Sequence, residues 1–170
     1  ERMVDNPLAV NLYVLTYNKN KKLVQVTNAA KENLRTYLSQ YRILTDAINI
    51  KNGYVINIGV EFDITTLPNH NSNQVLIKCI QAMKEMFSID NLTFKTPIFE
   101  KDIYTTLAGV TGVQSVIDAK VVNKYGGPYS QNRYNIEEAT YNGVIYPSLD
   151  PSIFEIKNAD EDIKGRVVSY

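Results

Sequence analysis

The chain has few of the side chains that most often perform chemistry. Its 170 residues include one cysteine, Cys79, and one histidine, His70. A single cysteine excludes an intrachain disulfide and a multi-cysteine zinc site. The 18 basic and 18 acidic residues cancel, and no apolar run reaches the roughly 20 residues of a membrane span. We therefore expect no cofactor, no metal, no small-molecule substrate, and neither nucleic acid nor membrane as a partner.

The lone histidine and the lone cysteine each have a simple structural explanation. His70 lies in the polar stretch 68–73, PNHNSN, without an acidic or cysteine neighbour, which is typical of a solvated loop. Cys79 shares the apolar face of a predicted helix with Leu76 and Met83, which predicts a buried thiol. Without a paired histidine, a nucleophilic role for this thiol is not expected.

The clearest structural pattern is an alternation over residues 54–66, YVINIGVEFDITT. Apolar side chains occupy every second position from Tyr54 to Ile64, and mostly polar residues or glycine fill the gaps. This period of two predicts a β-strand with one buried face and one solvated face. Helical patterns flank it on both sides, so the sequence predicts an α+β fold.

Residues 11–124 are predicted to follow the order β-α-β-α-α-β. The predicted strands cover 11–18, 47–66 and 113–124, where 47–66 is either one long strand kinked at Asn52-Gly53 or two strands, 47–50 and 54–66. The predicted helices cover 27–42, 73–88 and 101–110. Two main helices on one face of a small sheet correspond to a ferredoxin-like, split βαβ sandwich or a near relative. The residues expected in the core are Leu34, Leu38, Ile56, Ile58, Val60, Phe62, Leu76, Ile80 and Met83.

The composition changes after Tyr125. Gly126-Gly127-Pro128 interrupts regular structure, and the following residues are rich in tyrosine and poor in aliphatic side chains. We therefore predict a first domain over 1–125 and an extended C-terminal arm over 126–170. Tyrosine buries a large area while keeping a polar tip, so the arm is a candidate interface. Its candidate contact residues are Tyr129, Tyr134, Tyr141, Tyr146 and Phe154; the alternative is an arm that folds back on its own domain.

The acidic residues give little reason to expect an enzyme. Glu61 and Asp63 alternate on one strand face, and paired carboxylates can divide acid and base roles. Charge is expected on the solvated face of an amphipathic strand in any case. The run 160–162, DED, does not have the spacing of a calcium-binding loop and is typical of a solvated segment.

Two long stretches carry a resemblance to a known family. They are 22–64, KLVQVTNAAKENLRTYLSQYRILTDAINIKNGYVINIGVEFDI, and 71–116, NSNQVLIKCIQAMKEMFSIDNLTFKTPIFEKDIYTTLAGVTGVQSV. The elements follow one another in this order: a helix ending in a "YL" pair, a long alternating strand, a second helix, a "TPI" piece, and a short helix before a Gly-Val strand. This arrangement resembles the C-terminal part of J-like baseplate wedge proteins of contractile-tailed bacteriophages, specifically the T-even-type subunit that forms the iris ring.

The resemblance implies a structural role in the virion. Such a subunit joins neighbouring wedge proteins, and its copies pair between wedges to close a ring around the tail hub; assembly takes place in the host cytoplasm. The family has no catalytic residues to carry over. Its full subunit is much longer, which together with the initial Glu1 indicates that this chain is a C-terminal piece.

Two other classes stay open at this stage. One is a ferredoxin-like module that binds a ligand or peptide and has no enzymatic activity. The other is a small hydrolase using Glu61 and Asp63. The charge distribution adds weight to self-association, because residues 1–53 carry eight basic and four acidic side chains and residues 126–170 carry four and seven.

Overall fold

The computed structural model describes residues 9–41 and 47–168, and its contacts divide the chain into two compact units. Unit 1 is Glu1–Gly53 and unit 2 is Tyr54–Tyr170. This division after Gly53 differs from the boundary predicted after Tyr125. The amino-acid composition changes at residue 125, but the contacts within unit 2 continue past it, because later residues complete the sheet of unit 2 as described below.

Unit 1 is a small parallel βαβ unit with an added hairpin. Its elements are β1 (Ala9–Val14), β2 (Thr16–Tyr17), β3 (Leu23–Val24), α1 (Asn28–Ser39) and β4 (Ala47–Asn52). β1 and β4 pair in parallel along their whole lengths, while β2 and β3 form a short antiparallel hairpin. Thr27 caps the beginning of α1, since its hydroxyl accepts a hydrogen bond from the backbone amide of Ala30 at 3.3 Å.

The burial predicted for Leu34 and Leu38 is wrong. Both side chains are only half-buried, and α1 buries none of its residues completely. The helix α1 belongs to unit 1, where it contacts β4. Among the described residues of unit 1, the buried apolar side chains are Leu23 and Ile50.

Unit 2 contains the remaining helices and strands. They are β5 (Tyr54–Thr66), α2 (Ser72–Met86), a 3₁₀ turn (Ile89–Asn91), β6 (Ile98–Phe99), α3 (Glu100–Ala108), β7 (Val113–Lys124), α4 (Ile136–Ala139), β8 (Thr140–Tyr141), β9 (Val144–Ile145), β10 (Ser152–Glu155), α5 (Ala159–Asp162) and β11 (Ile163–Val167). The α+β class is therefore confirmed. No helix within the described residues is both long enough and apolar enough to cross a membrane.

β5 is the central strand of the main sheet. β7 pairs with it antiparallel on one edge. On the opposite edge, β10 pairs in parallel with the beginning of β5 and β11 pairs in parallel with its second half. The ferredoxin-like arrangement is therefore not confirmed, because β1 and β4 pair with each other and the predicted C-terminal arm supplies β10 and β11.

The apolar face of β5 forms the core of unit 2 with α2 and α3. Ile56, Ile58, Val60 and Phe62 are at most 2% exposed, as predicted. On α2, Met83 is buried as predicted, whereas Leu76 and Ile80 are half-buried. The second helix of this layer is α3, whose Ile103 and Leu107 are completely buried, and not α1.

Two glycines allow close approach beside β5. A Cβ on Gly165 would stand 2.4 Å from the ring of Phe62, so β11 lies directly against that ring. A Cβ on Gly59 would stand 2.7 Å from the carbonyl oxygen of Asp162, so the α5 turn crosses the edge of β5 between β10 and β11. Larger residues at either position would push the edge strand away.

We expect Phe62→Ala to lower the free energy of unfolding by about 3–5 kcal/mol, because it empties a fully packed position between β5, β11 and α2. Urea unfolding measures the change. Tyr54→Ala is the matched control on the same strand, since Tyr54 is 45% exposed. Equal losses for the two variants would contradict the register of β5.

Candidate functional site

One candidate site is the face of the main sheet opposite the core. We call it the charged face; its members are Glu61, Asp63, Asp118, Lys120, Lys164 and Arg166, which line an open cavity of about 440 Å³. The register explains the cluster. Lys120 of β7 and Lys164 of β11 both lie opposite Glu61, and Asp118 and Arg166 both lie opposite Asp63. Cross-strand partners share a sheet face, so six charges meet there.

Two of the three carboxylates of the charged face are paired with cations. The guanidinium of Arg166 donates to both carboxylate oxygens of Asp63, at 2.9 and 2.7 Å. This bidentate pair raises the pKa of Arg166 above its ordinary value. The ammonium group of Lys120 lies 3.6 Å from the Glu61 carboxylate. Each carboxylate of the Glu61 and Asp63 pair, which the hydrolase alternative would use, is therefore paired with a cation.

The two residues with the most reactive side chains lie apart from this face. His70 is exposed, and its ring would contact a Cβ placed on Gly112. Cys79 is fully buried on α2, and burial raises the pKa of its thiol to about 11, so the protonated form predominates at neutral pH. Within residues 9–41 and 47–168, no group of three or more histidine, cysteine or acidic side chains is placed to hold a metal ion.

The second candidate site is the tyrosine-rich segment, part of which closes over the polar side of β5. Asn57 is 1% exposed. Its side-chain NH₂ group donates to the Glu155 carboxylate at 2.8 Å, and its side-chain oxygen accepts from the backbone N–H of Ser130 at 2.8 Å. The hydroxyl of Ser130 and the amide of Asn132 both donate to the carbonyl of Val55. The polar face expected to be solvated is therefore covered at its N-terminal end by the chain itself.

Tyr129 fixes this segment to a buried carboxylate. Its hydroxyl donates to Asp162 at 2.6 Å, and the other carboxylate oxygen accepts from the amide of Asn158 at 2.8 Å. The hydrogen bond to Asp162 raises the pKa of Tyr129. Because Asp162 is only 1% exposed, this tyrosine is one of the groups that compensate a desolvated carboxylate.

The structure separates the five predicted interface residues into three kinds. Phe154 is 1% exposed, in the core, with the ring of Tyr134 against it at 6.0 Å between centroids. Tyr129 and Tyr134 are half-buried within the chain. Tyr141 and Tyr146 are 70% and 49% exposed, so these two offer aromatic surface to a partner.

A third surface was missed by the sequence analysis. The three-stranded sheet β6–β9–β8 places Phe99, Val144 and Tyr141 opposite one another, and therefore on one face. The signal was present: Asn142-Gly143 between β-forming residues is a strong hairpin motif. Both residues have positive φ, 51° and 74°, as the tight hairpin turn requires.

We expect Tyr129→Phe to lower the free energy of unfolding by about 1.5–3 kcal/mol at neutral pH, because it removes a hydrogen bond to a buried carboxylate. The raised pKa of Tyr129 in the folded state makes this contribution decline as pH rises above the ordinary tyrosine value of about 10. The difference between the variant and the unmodified chain should therefore shrink in alkaline buffer, as measured by urea unfolding at several pH values.

Tyr141→Phe is the control for this experiment, because its exposed hydroxyl should be replaceable without measurable loss at any pH. If Tyr129→Phe loses no more unfolding free energy than the control, the hydrogen bond from Tyr129 to Asp162 does not stabilise the fold.

Comparison with known proteins gives limited information. No protein-family model matches the chain, and no curated protein matches it. Seven chains in solved structures match. One is a chain in the cryo-EM structure of the anti-feeding prophage baseplate; it shares 16% identity over 78% of this chain, with a TM-score of 0.48. This chain spans 26% of the length of that one. A likeness at this level is too weak to assign a family or a function.

Proposed function

We propose that this chain is a structural component of the baseplate of a contractile tail, a wedge subunit that joins neighbouring wedge proteins to close a ring around the tail hub. The resemblance over 22–64 and 71–116 motivates the proposal. In this role the chain is not an enzyme, its partners are other wedge proteins and its own copies, and it resides in the virion.

The observation that carries the proposal is the amount of aromatic surface. Nine aromatic side chains of the described residues are at least 36% exposed: Tyr17, Tyr37, Tyr41, Tyr54, Phe99, Tyr104, Tyr125, Tyr141 and Tyr146. Aromatic residues are enriched in protein interfaces, where their area is buried and the tyrosine hydroxyl finds a partner. A subunit that contacts several neighbours needs such surface on both of its compact units.

The charged face supports the same function better than it supports hydrolysis. A general base needs a carboxylate free to accept a proton from its substrate, and both oxygens of Asp63 already accept from Arg166. Ion pairs on an open sheet face can instead exchange partners with a neighbouring protein and fix its orientation. We assign the charged face to orientation of a neighbour within the assembly.

We expect a tagged copy of the chain to be found in purified tail particles, at the baseplate end in negative-stain micrographs. The double variant Tyr141→Ser/Tyr146→Ser should fold normally, because both side chains are exposed, and should be reduced in particles by about tenfold or more. Quantitative immunoblotting of particles against the soluble fraction measures the change.

Ile77→Ser is the matched control, since Ile77 is 66% exposed on α2. Absence of the unmodified chain from particles would overturn the baseplate assignment. If the chain stays a monomer in gel filtration, and cross-linking captures a peptide or small ligand, the regulatory-module alternative is favoured.

A further inference from the structure

The sheet β6–β9–β8 has one buried side and one open side. Ile98 and Ile145 on the inner side are 4% and 0% exposed. On the outer side, Phe99 is 44% exposed and Tyr141 is 70% exposed, with half-buried Val144 between them. We call Phe99, Val144 and Tyr141 the aromatic face. The two large rings on the outer strands β6 and β8, with Val144 of β9 between them, form an apolar surface of the kind that marks an interaction site.

Three glutamates lie close in sequence to this aromatic face. Glu100 follows Phe99 directly, and its amide donates to the carbonyl of Gly143 in the hairpin turn. The Glu100 carboxylate lies 3.6 Å from the position of a Cβ on that glycine. Glu137 and Glu138 are exposed in α4, the turn that leads into β8. These three acidic residues favour a partner that is apolar at its centre and basic at its edge.

Unit 1 contains a segment with that chemistry. The β2–β3 hairpin, Thr16–Val24, carries Lys19, Lys21 and Lys22 and no acidic residue. Tyr17 and Val24 of the hairpin strands are 55% and 37% exposed. The register pairs Tyr17 with Leu23 and Thr16 with Val24, so Tyr17 and Val24 lie on opposite faces of the hairpin. The hairpin therefore combines one exposed tyrosine on one of its faces with three positive charges at its turn.

The charge of the two units extends this complementarity. Residues 1–53 carry eight basic and four acidic side chains, whereas residues 54–170 carry ten and fourteen. The net charge of unit 1 is thus positive, and the net charge of unit 2 is negative by the same amount. The sign difference favours contact between unit 1 of one copy and unit 2 of another.

We propose that the aromatic face is the docking surface for the β2–β3 hairpin of a second copy of this chain. Tyr17 of the hairpin contacts Phe99 and Tyr141, and Lys19 and Lys21 of the turn lie against Glu100, Glu137 and Glu138. The contact is heterologous, because two different surfaces meet, and such contacts form a ring or a filament. This proposal rests on the proposed function and specifies the surface through which copies join.

The test measures self-association of the full chain by sedimentation velocity over a range of concentrations. Tyr141→Ser should weaken association by about tenfold or more, as expected for loss of a central aromatic contact. Ile77→Ser, on α2, should leave it unchanged. High salt should weaken association of the unmodified chain, because exposed charge pairs are screened.

A charge exchange tests the partner. Glu137→Lys/Glu138→Lys alone and Lys19→Glu/Lys21→Glu alone should each weaken association, and the chain with all four substitutions should recover it. Thermal melts confirm that each variant is folded. A monomeric unmodified chain, association insensitive to Tyr141→Ser, or failure of the fourfold variant to recover would each overturn the proposal.

The particle experiment separates this inference from the proposed function. A chain that enters tail particles but shows no hairpin-dependent association loses this docking surface and keeps its baseplate role. A chain that associates through the hairpin yet is absent from particles loses the baseplate role and keeps the docking surface.

Discussion

The structure of unit 2 depends on the position of β5 at the centre of the main sheet. One edge of this strand pairs with β7, and the other pairs first with β10 and then with β11. Its alternate apolar side chains are fully buried, and α2 and α3 contact each other and the flanking strands β11 and β7; these side chains are Ile56, Ile58, Val60, Phe62 and Ile64. Because a central strand must be compatible with neighbours on both edges and both faces, Gly59 and the buried Asn57 become structural residues in an otherwise simple alternating pattern.

The polar side of β5 shows how one strand serves two purposes. At its beginning, Asn57 is enclosed by Ser130 and Glu155 through hydrogen bonds, and nearby Tyr129 binds Asp162. Buried polar groups remain stable only when they are paired, so this network fixes the course of the chain after β7. Further along the strand, no such covering segment is described, and the charged face lies open around Asp63 and Arg166.

The two units differ in how completely they bury their apolar side chains. Unit 2 encloses a core between its sheet and two helices, whereas the described part of unit 1 buries Ile50 of the two-stranded parallel sheet and Leu23 of the β2–β3 hairpin. Parallel strands are normally covered on both faces, and two-stranded sheets have little stability alone. A unit of this kind gains stability when it packs on a neighbour, which is consistent with a subunit that functions inside an assembly.

The sequence by itself determined the local elements, and the tertiary structure decided their partners. The alternation of β5, the helix that Thr27 caps and the buried Cys79 follow from spacing and side-chain type, which act over a few residues. The positions of α1, Phe154 and Tyr129 in the fold do not follow from such local patterns. Helical periodicity shows that α1 has an apolar side without showing which sheet it contacts, and a tyrosine-rich composition describes an interface and a buried hydrogen-bonded segment equally well. Strand pairing joins residues about a hundred positions apart, as between Phe154 and Ile56, and no local pattern encodes that choice.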